Sequence, residues 1–343
     1  MLLVLHGAKV NAGDFLIRQR GIEILQRLRP DQELIVRPRW EAVDPELYDR
    51  ADAVVLCGGP GLAPHFYPHV FPLVDDLETH STPVLPLALG WPGTRPDKPG
   101  SYFNARSLEA LRTIHSRIGW SGVRDQLSLK LLQRAEVGEV HMTGCVAWYD
   151  GESLGQSFRP PTSVRRLVFT PPAKHRRGGL AEAISLLRAL RRRYRSAERY
   201  CVFHRGLRSE LGSDPSTAER RAIAAAARVL GYRVVDASRS LDALGFYRDC
   251  DLHVGYRVHA HLHFLSCRRP SVLVIEDGRG EGQAVTLGDP YRLHAGASSL
   301  ADAVDDALAR EQASGFGACE RAVSEIERTW PAMRQTVEQL PAA

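Results

Sequence analysis

Short apolar runs alternate with amphipathic stretches along the whole chain. Residues 2–5, 33–37, 53–57, 83–90 and 140–146 read as buried strands. Between them, apolar positions recur at helical spacing over residues 15–28 and 104–118, the latter with Asn104 as a cap, and again after Asp125, where Leu127, Leu131 and Leu132 supply a buried face. Proline and polar residues then cluster over 151–163, a candidate linker. A second alternation follows, with strands at 167–170, 200–203, 232–235, 251–255 and 271–275. Its helices fall at 180–194, 215–230, 241–248, 256–266, 299–309 and 319–340. Single apolar strands separated by helices imply parallel sheets. The pattern therefore predicts two α/β domains, 1–155 and 164–343, and allows the closing helix to pack back on the first.

Open α/β sheets bind ligands at the carboxyl ends of their strands. After the first strand come Asn11, Gly13 and Asp14, where a ligand-facing role and a capping role for Asp14 are both physically reasonable. After the third come Gly58 and Gly59, which let the backbone turn sharply and approach a ligand, without the spacing of a phosphate loop or dinucleotide fingerprint. Arg124 and Asp125 enter a turn together, where local pairing and a helix cap compete with a ligand role. The densest stretch is 255–280, GYRVHAHLHFLSCRRPSVLVIEDGRG. Here Arg257 and His259 are expected on the first turn of a helix, whose free N–H groups attract phosphate or carboxylate. A buried strand and a glycine-rich acidic loop over 276–282 follow.

Composition narrows the class. At 343 residues the chain exceeds what one core organises, and 44% hydrophobic with 25% charged residues is an ordinary globular balance. The formal charge of +5, from 45 basic and 40 acidic residues, is spread along the chain and suits an anionic ligand. No clustered stripe or reader fold indicates nucleic acid; RALRRRYR at 188–195 fits the solvated face of a helix, although such a run also suits nucleic acid. Six cysteines without a CxxC pair point to reduced core thiols. MLLVLHG lacks a signal peptide's basic region and length, and no apolar run approaches the ~20 residues that span a bilayer. A cytoplasmic location is expected, with peripheral membrane contact left open. In HAHLH, His259 and His263 stand at metal-ligand spacing, but no glutamate follows the first histidine, so satisfied helix histidines and no metal are expected.

NAGD at 11–14, CGGPGL at 57–62, GVRDQLSLKLL at 122–132, TGC at 143–145 and RVHAHLHFLSCRRPSVLVIED at 257–277 form an ordered set covering nearly the whole chain. In that set the sequence resembles the polysaccharide pyruvyl transferase family. The resemblance implies two Rossmann-like domains facing across a cleft, a GT-B-like fold. It also implies phosphoenolpyruvate as donor substrate, bound mainly by the second domain, and no cofactor. The acceptor would be a saccharide or lipid-linked saccharide of the cell surface, bound by Asn11, Asp14, Gly58, Gly59, Arg124 and Asp125. The family's Arg-x-His motif falls on Arg257, Val258 and His259, which makes His259 the acid/base and Arg257 the grip on donor oxyanions. Two departures stand out. Where the family carries an arginine after the first strand of the second domain, this chain has Thr170, Pro171 and Pro172, leaving Lys174, His175, Arg176 or Arg205 as substitutes. The acidic loop, EDGRGEG, lacks the usual lysine and brings Asp277 and Gly280 to the donor. These departures keep two alternatives in view: a GT-B-like glycosyltransferase using a nucleotide sugar, and an inactive relative that binds an anion or partner.

Overall fold

The apolar runs become parallel strands. The computed structural model describes residues 1–93, 102–208 and 215–342. Contacts divide the chain into two units, the first built from Met1–Ala8, Ile17–Gly151 and Ile326–Ala343, the second from Lys9–Leu16 and Glu152–Glu325.

The first unit holds β1 (Leu2–His6), most of α1 (Ala12–Leu28), β2 (Leu34–Pro38), α2 (Pro45–Arg50), β3 (Ala53–Cys57), β4 (Val84–Leu87), α3 (Ala105–His115), β5 (Ser121–Val123), α4 (Gln126–Ala135) and β6 (Val140–Met142). Four strands pair in the order β2-β1-β3-β4, and a parallel bridge from Leu89 to Val123 leads on to the β5-β6 pair. The central strands β1 and β3 are buried at every position, which is why they read as unbroken apolar runs rather than alternating ones. Leu3, Leu5, Val54 and Leu56 of these strands join Leu111, Val123 and Leu132 in the core. As expected, Asn104 caps α3, accepting the Ser107 N–H at 2.8 Å, but the helix ends at His115 rather than at residue 118. Helix α2, too short to show a period, was not legible; Asp44 caps it and Pro45 opens it.

The second unit holds β7 (Arg166–Thr170), α5 (Gly179–Arg193), β8 (Glu198–Phe203), α6 (Pro215–Val229), β9 (Arg233–Asp236), β10 (Leu252–Gly255), α7 (Val258–Ser266), β11 (Ser271–Ile275), α8 (Gly278–Thr286), β12 (Leu293–His294), α9 (Leu300–Ala313) and the first turns of α10 (Gly317–Glu338). Its six strands are parallel in the order β12-β11-β10-β7-β8-β9. From β7 the chain winds outward through β8 to β9, then crosses back to β10, so the order reverses between β7 and β10. That is the switch point where doubly wound sheets bind ligands. The helix expected at 241–248 is a 3-10 helix, Asp242–Asp249. Among the described residues no helix is long and apolar enough to cross a membrane.

Within the first unit, Arg20 of α1 meets Asp150 at 2.7 Å, with side chains 8% and 0% exposed. Arg20 also holds the half-exposed Glu23 through Nη1 at 2.7 Å, so loss of Asp150 leaves the buried guanidinium with one partner rather than none. Asp150→Ala should therefore lower unfolding stability by about 1–3 kcal/mol, read from urea denaturation.

Candidate functional site

Strand β10 approaches β7 so closely at the switch point that only glycine fits its last position. A Cβ on Gly255, whose φ is +153°, would lie 2.3 Å from the Thr170 carbonyl oxygen. The next two residues place Arg257 at the N-cap of α7, with extended backbone. Arg257 is thus the residue before the helix, not part of its first turn as expected; its own N–H donates to Thr170 Oγ1 at 3.2 Å. Arg257 is only 7% exposed, yet its guanidinium carries charge, so it has to find partners.

Those partners come from two directions. Nη2 donates to Asn11 Oδ1 at 3.2 Å, and Nη1 lies 3.7 Å from Glu276 Oε2. Its Nε has no hydrogen-bond partner among the described residues. Burial, with Arg279 adding to it, pulls the guanidinium below its usual pKa against the opposing pull of Glu276, Asp14 and Asp277. Asn11 also accepts from the Gly13 N–H and donates to Asp14 Oδ2 at 3.0 Å. Asp14, expected as the cap of α1, instead lies inside its first turn, and Asn11 precedes the helix. Both residues were expected on the acceptor side in the first domain. They belong to the second unit, where Ala12 N–H donates to the His204 carbonyl and Asn11 bridges Arg205.

His259 lies one residue into α7 and is 4% exposed. Its ring rests against the backbone of Gly13, where a Cβ would come within 2.3 Å of Nδ1. Gly13 is the second position whose lack of a side chain the site requires.

The acidic stretch after β11 is not the loop expected over 276–282. Asp277 caps α8, accepting the Arg279 N–H at 3.0 Å, and Gly280 sits in the first turn against Ile275. Asp277 also holds the Arg279 guanidinium through both carboxylate oxygens, Oδ1 at 3.0 Å from Nε and Oδ2 at 2.6 Å from Nη2, with Lys174 Nζ at 3.7 Å. Burial opposes ionisation of Asp277, but Arg279 and Lys174 outweigh it and hold the carboxyl below its ordinary range. Glu276 turns its other oxygen to the N–H groups of Ala173 and Lys174, at 3.0 and 3.1 Å, so it fastens the β7 loop to Arg257.

Tyr256, Arg257, Val258, His259, Glu276, Asp277, Arg279 and Gly280 line one pocket whose free space is about 10 Å³, room for a single water. Of the expected donor residues, Val258, Asp277 and Gly280 line it, and Lys174 stands beside Asp277. Arg176 is turned away onto Glu182, which also binds Tyr256 Oη, and Arg205 is exposed with a backbone tie to Asn11. Arg279 and Glu276 were not singled out in the sequence; an acid at a strand end followed by Asp-Gly-Arg-Gly was the available signal.

The remaining expected residues lie in the first unit. Arg124 and Asp125, 2% and 1% exposed, form a buried pair at 3.0 Å; Asp125 caps α4 and Arg124 donates to the Trp91 carbonyl. The local pairing and the helix cap that the sequence offered are both formed. Gly58 and Gly59, both at positive φ, are buried, and a Cβ on Gly58 would meet Ile17 at 2.7 Å.

The other histidines of HAHLH face inward. His261 Nδ1 and His253 Nδ1 both hydrogen-bond Ser271 Oγ, at 2.8 and 2.7 Å, and His253 Nε2 reaches Thr170 Oγ1 at 2.8 Å. This relay fixes the hydroxyl that receives the Arg257 N–H. Among the described residues no group of three ligating side chains could hold a metal. Burial lowers the His253 pKa and takes His261 down to about 3 from an ordinary 6.5. The unfolded chain therefore takes up the His261 proton first, so the stability linked to it is complete above about 6.5 and is lost as pH falls towards about 3. The urea midpoint should decline across that window, with a shallower slope in His261→Gln.

The sequence model of a family described as polysaccharide pyruvyl transferase matches residues 11–278. No curated protein matches the chain. Similar solved structures include a UDP-GlcNAc 2-epimerase from Neisseria meningitidis bound to UDP-GlcNAc, 13% identical over 99% of both chains with a TM-score of 0.56. Another is MnaA of S. aureus with UDP, 10% identical over 94% of this chain and 90% of that one, TM-score 0.56. At such identities the likeness is one of fold, and it is the GT-B class expected from the sequence.

Proposed function

The chain belongs to the polysaccharide pyruvyl transferase family, and from that premise we propose that it transfers the pyruvyl group of phosphoenolpyruvate to two hydroxyls of a saccharide, forming a ketal. The observation that carries the reading is Arg257, a buried guanidinium at the head of α7, two residues from His259 and beside a second guanidinium at Arg279, all at the switch point of a parallel sheet. Paired guanidiniums match a ligand bearing both phosphate and carboxylate.

The chemistry needs a proton on C3 of the enol phosphate and a cation-like C2. One acceptor hydroxyl adds to C2, phosphate leaves, and the second hydroxyl closes the ketal; of the two hydroxyl protons, one balances the C3 proton and the other leaves with phosphate. His259 delivers and recovers the proton, the task suited to an imidazole near neutral pH. Arg257 and Arg279 hold the phosphate and carboxylate, and Lys174 supports the leaving phosphate. In the structure Asp277 occupies Arg279, so donor binding exchanges that carboxylate for the substrate's. Val258 packs against Leu273 and Ile275, keeping the head of α7 in place. A saccharide or lipid-linked saccharide of the cell surface is the acceptor, and the reaction as written uses no metal or further cofactor.

Incubation with phosphoenolpyruvate and a saccharide panel should release phosphate, and His259→Ala should abolish the release. Arg279→Gln should raise the KM for phosphoenolpyruvate at least tenfold, about 1.4 kcal/mol. Phosphate release unaffected by His259→Ala would refute the assignment. A melting temperature raised by UDP or GDP and not by phosphoenolpyruvate would favour the nucleotide-sugar reading instead.

A further inference from the structure

The acceptor residues expected in the first unit are buried there or belong to the second, yet the carboxyl edge of the first unit's sheet presents a different set. Trp40, just past β2, is 42% exposed, and it is the one exposed tryptophan of the chain's five. An exposed apolar residue alone is ordinary. The neighbouring histidine is not. His6, at the end of β1, is 6% exposed and stands edge-on to the indole, ring centroids 6.2 Å apart at 89°. Its Nδ1 accepts the Ala8 N–H at 3.1 Å, so the neutral ring carries its proton on Nε2, a donor with no hydrogen bond to another of the described residues. Burial first, then Arg18 and Arg39, lower the His6 pKa to about 4, so the ring stays neutral and keeps that tautomer at physiological pH.

The platform is held rigidly. The Arg39 N–H donates to the His6 carbonyl at 2.8 Å, which pins the residue before Trp40 to β1. The Arg39 guanidinium lies over the Phe71 ring at 5.4 Å and fills the space where a Gly7 Cβ would stand, 3.3 Å away. An exposed aromatic ring beside an N–H donor, flanked by two cations, complements a pyranose, with a face of C–H bonds, a rim of hydroxyls and, in acidic sugars, an anionic substituent. We propose that Trp40 and His6 form a saccharide subsite, the indole stacking on a sugar ring of the acceptor and His6 Nε2–H donating to one of its hydroxyls. The inference rests on the transferase reading for calling the sugar an acceptor, but not for the binding itself.

The test uses the full chain and saturation-transfer difference NMR with methyl glycosides of galactose, glucose and N-acetylmannosamine. At least one should give a signal with the wild type, and Trp40→Ala should weaken its binding about tenfold, the worth of one aromatic contact. Trp40→Phe, which keeps a ring, should retain most of it, and circular dichroism of both variants should match the wild type. No saccharide signal from the wild type, or equal binding by Trp40→Ala, overturns the subsite. The two readings fail separately. A Trp40-dependent signal without phosphate release supports the subsite and defeats the transfer reaction, whereas phosphate release with an unchanged acceptor KM in Trp40→Ala defeats the subsite alone.

Discussion

Arg257 is a charge buried at a switch point, and much of the second unit is arranged around neutralising it. An ionised group removed from water is tolerated only when carboxylates and dipoles replace its hydration. Glu276 from the end of β11 and Asn11 from the head of α1 supply that replacement, 246 positions apart in the second case. This accounts for the grouping of Lys9–Leu16 with a unit whose remaining sequence begins at Glu152. The same demand explains Gly13, because the segment can lie against His259 only where a side chain is absent.

Positioning in this site is done by neutral groups as well as charged ones. The His261–Ser271–His253–Thr170 relay contains no ion near neutral pH, yet it orients the hydroxyl that receives the Arg257 N–H. Buried polar chains of this kind are stable only when every member is paired. Three of the four residues lie on β7, β10 and β11, so the relay ties the strands beside the switch point together across the sheet and anchors the Arg257 backbone to it.

Sequence reading reached what depends on local order. Buried parallel strands such as Ala53–Cys57 and Ser271–Ile275 are continuous apolar runs and were delimited residue for residue. The pairing of Arg124 with Asp125 was visible because the partners are adjacent. The placement of Asn11 and Asp14 was not, since their partners lie on distant strands and the apparent rule, that a segment belongs with the strand before it, fails at Lys9. The acidic stretch after Ile275 was read as a loop because three glycines in five residues suppress helix propensity; the Asp277 cap and the packing of Gly280 on β11 override that preference. Trp40 carried no pattern at all, for exposure of a single aromatic has no periodic signature.

On the proposed function the tethered pair at the pocket would also act as a filter. Arg279 is already satisfied by a carboxylate two residues away, whose local concentration no dissolved salt can match. A newcomer must bring more negative charge, or a better geometry, than this built-in rival. On the proposed donor-binding role, a molecule carrying several anionic oxygens is better placed than a singly charged ion to displace the resident carboxylate.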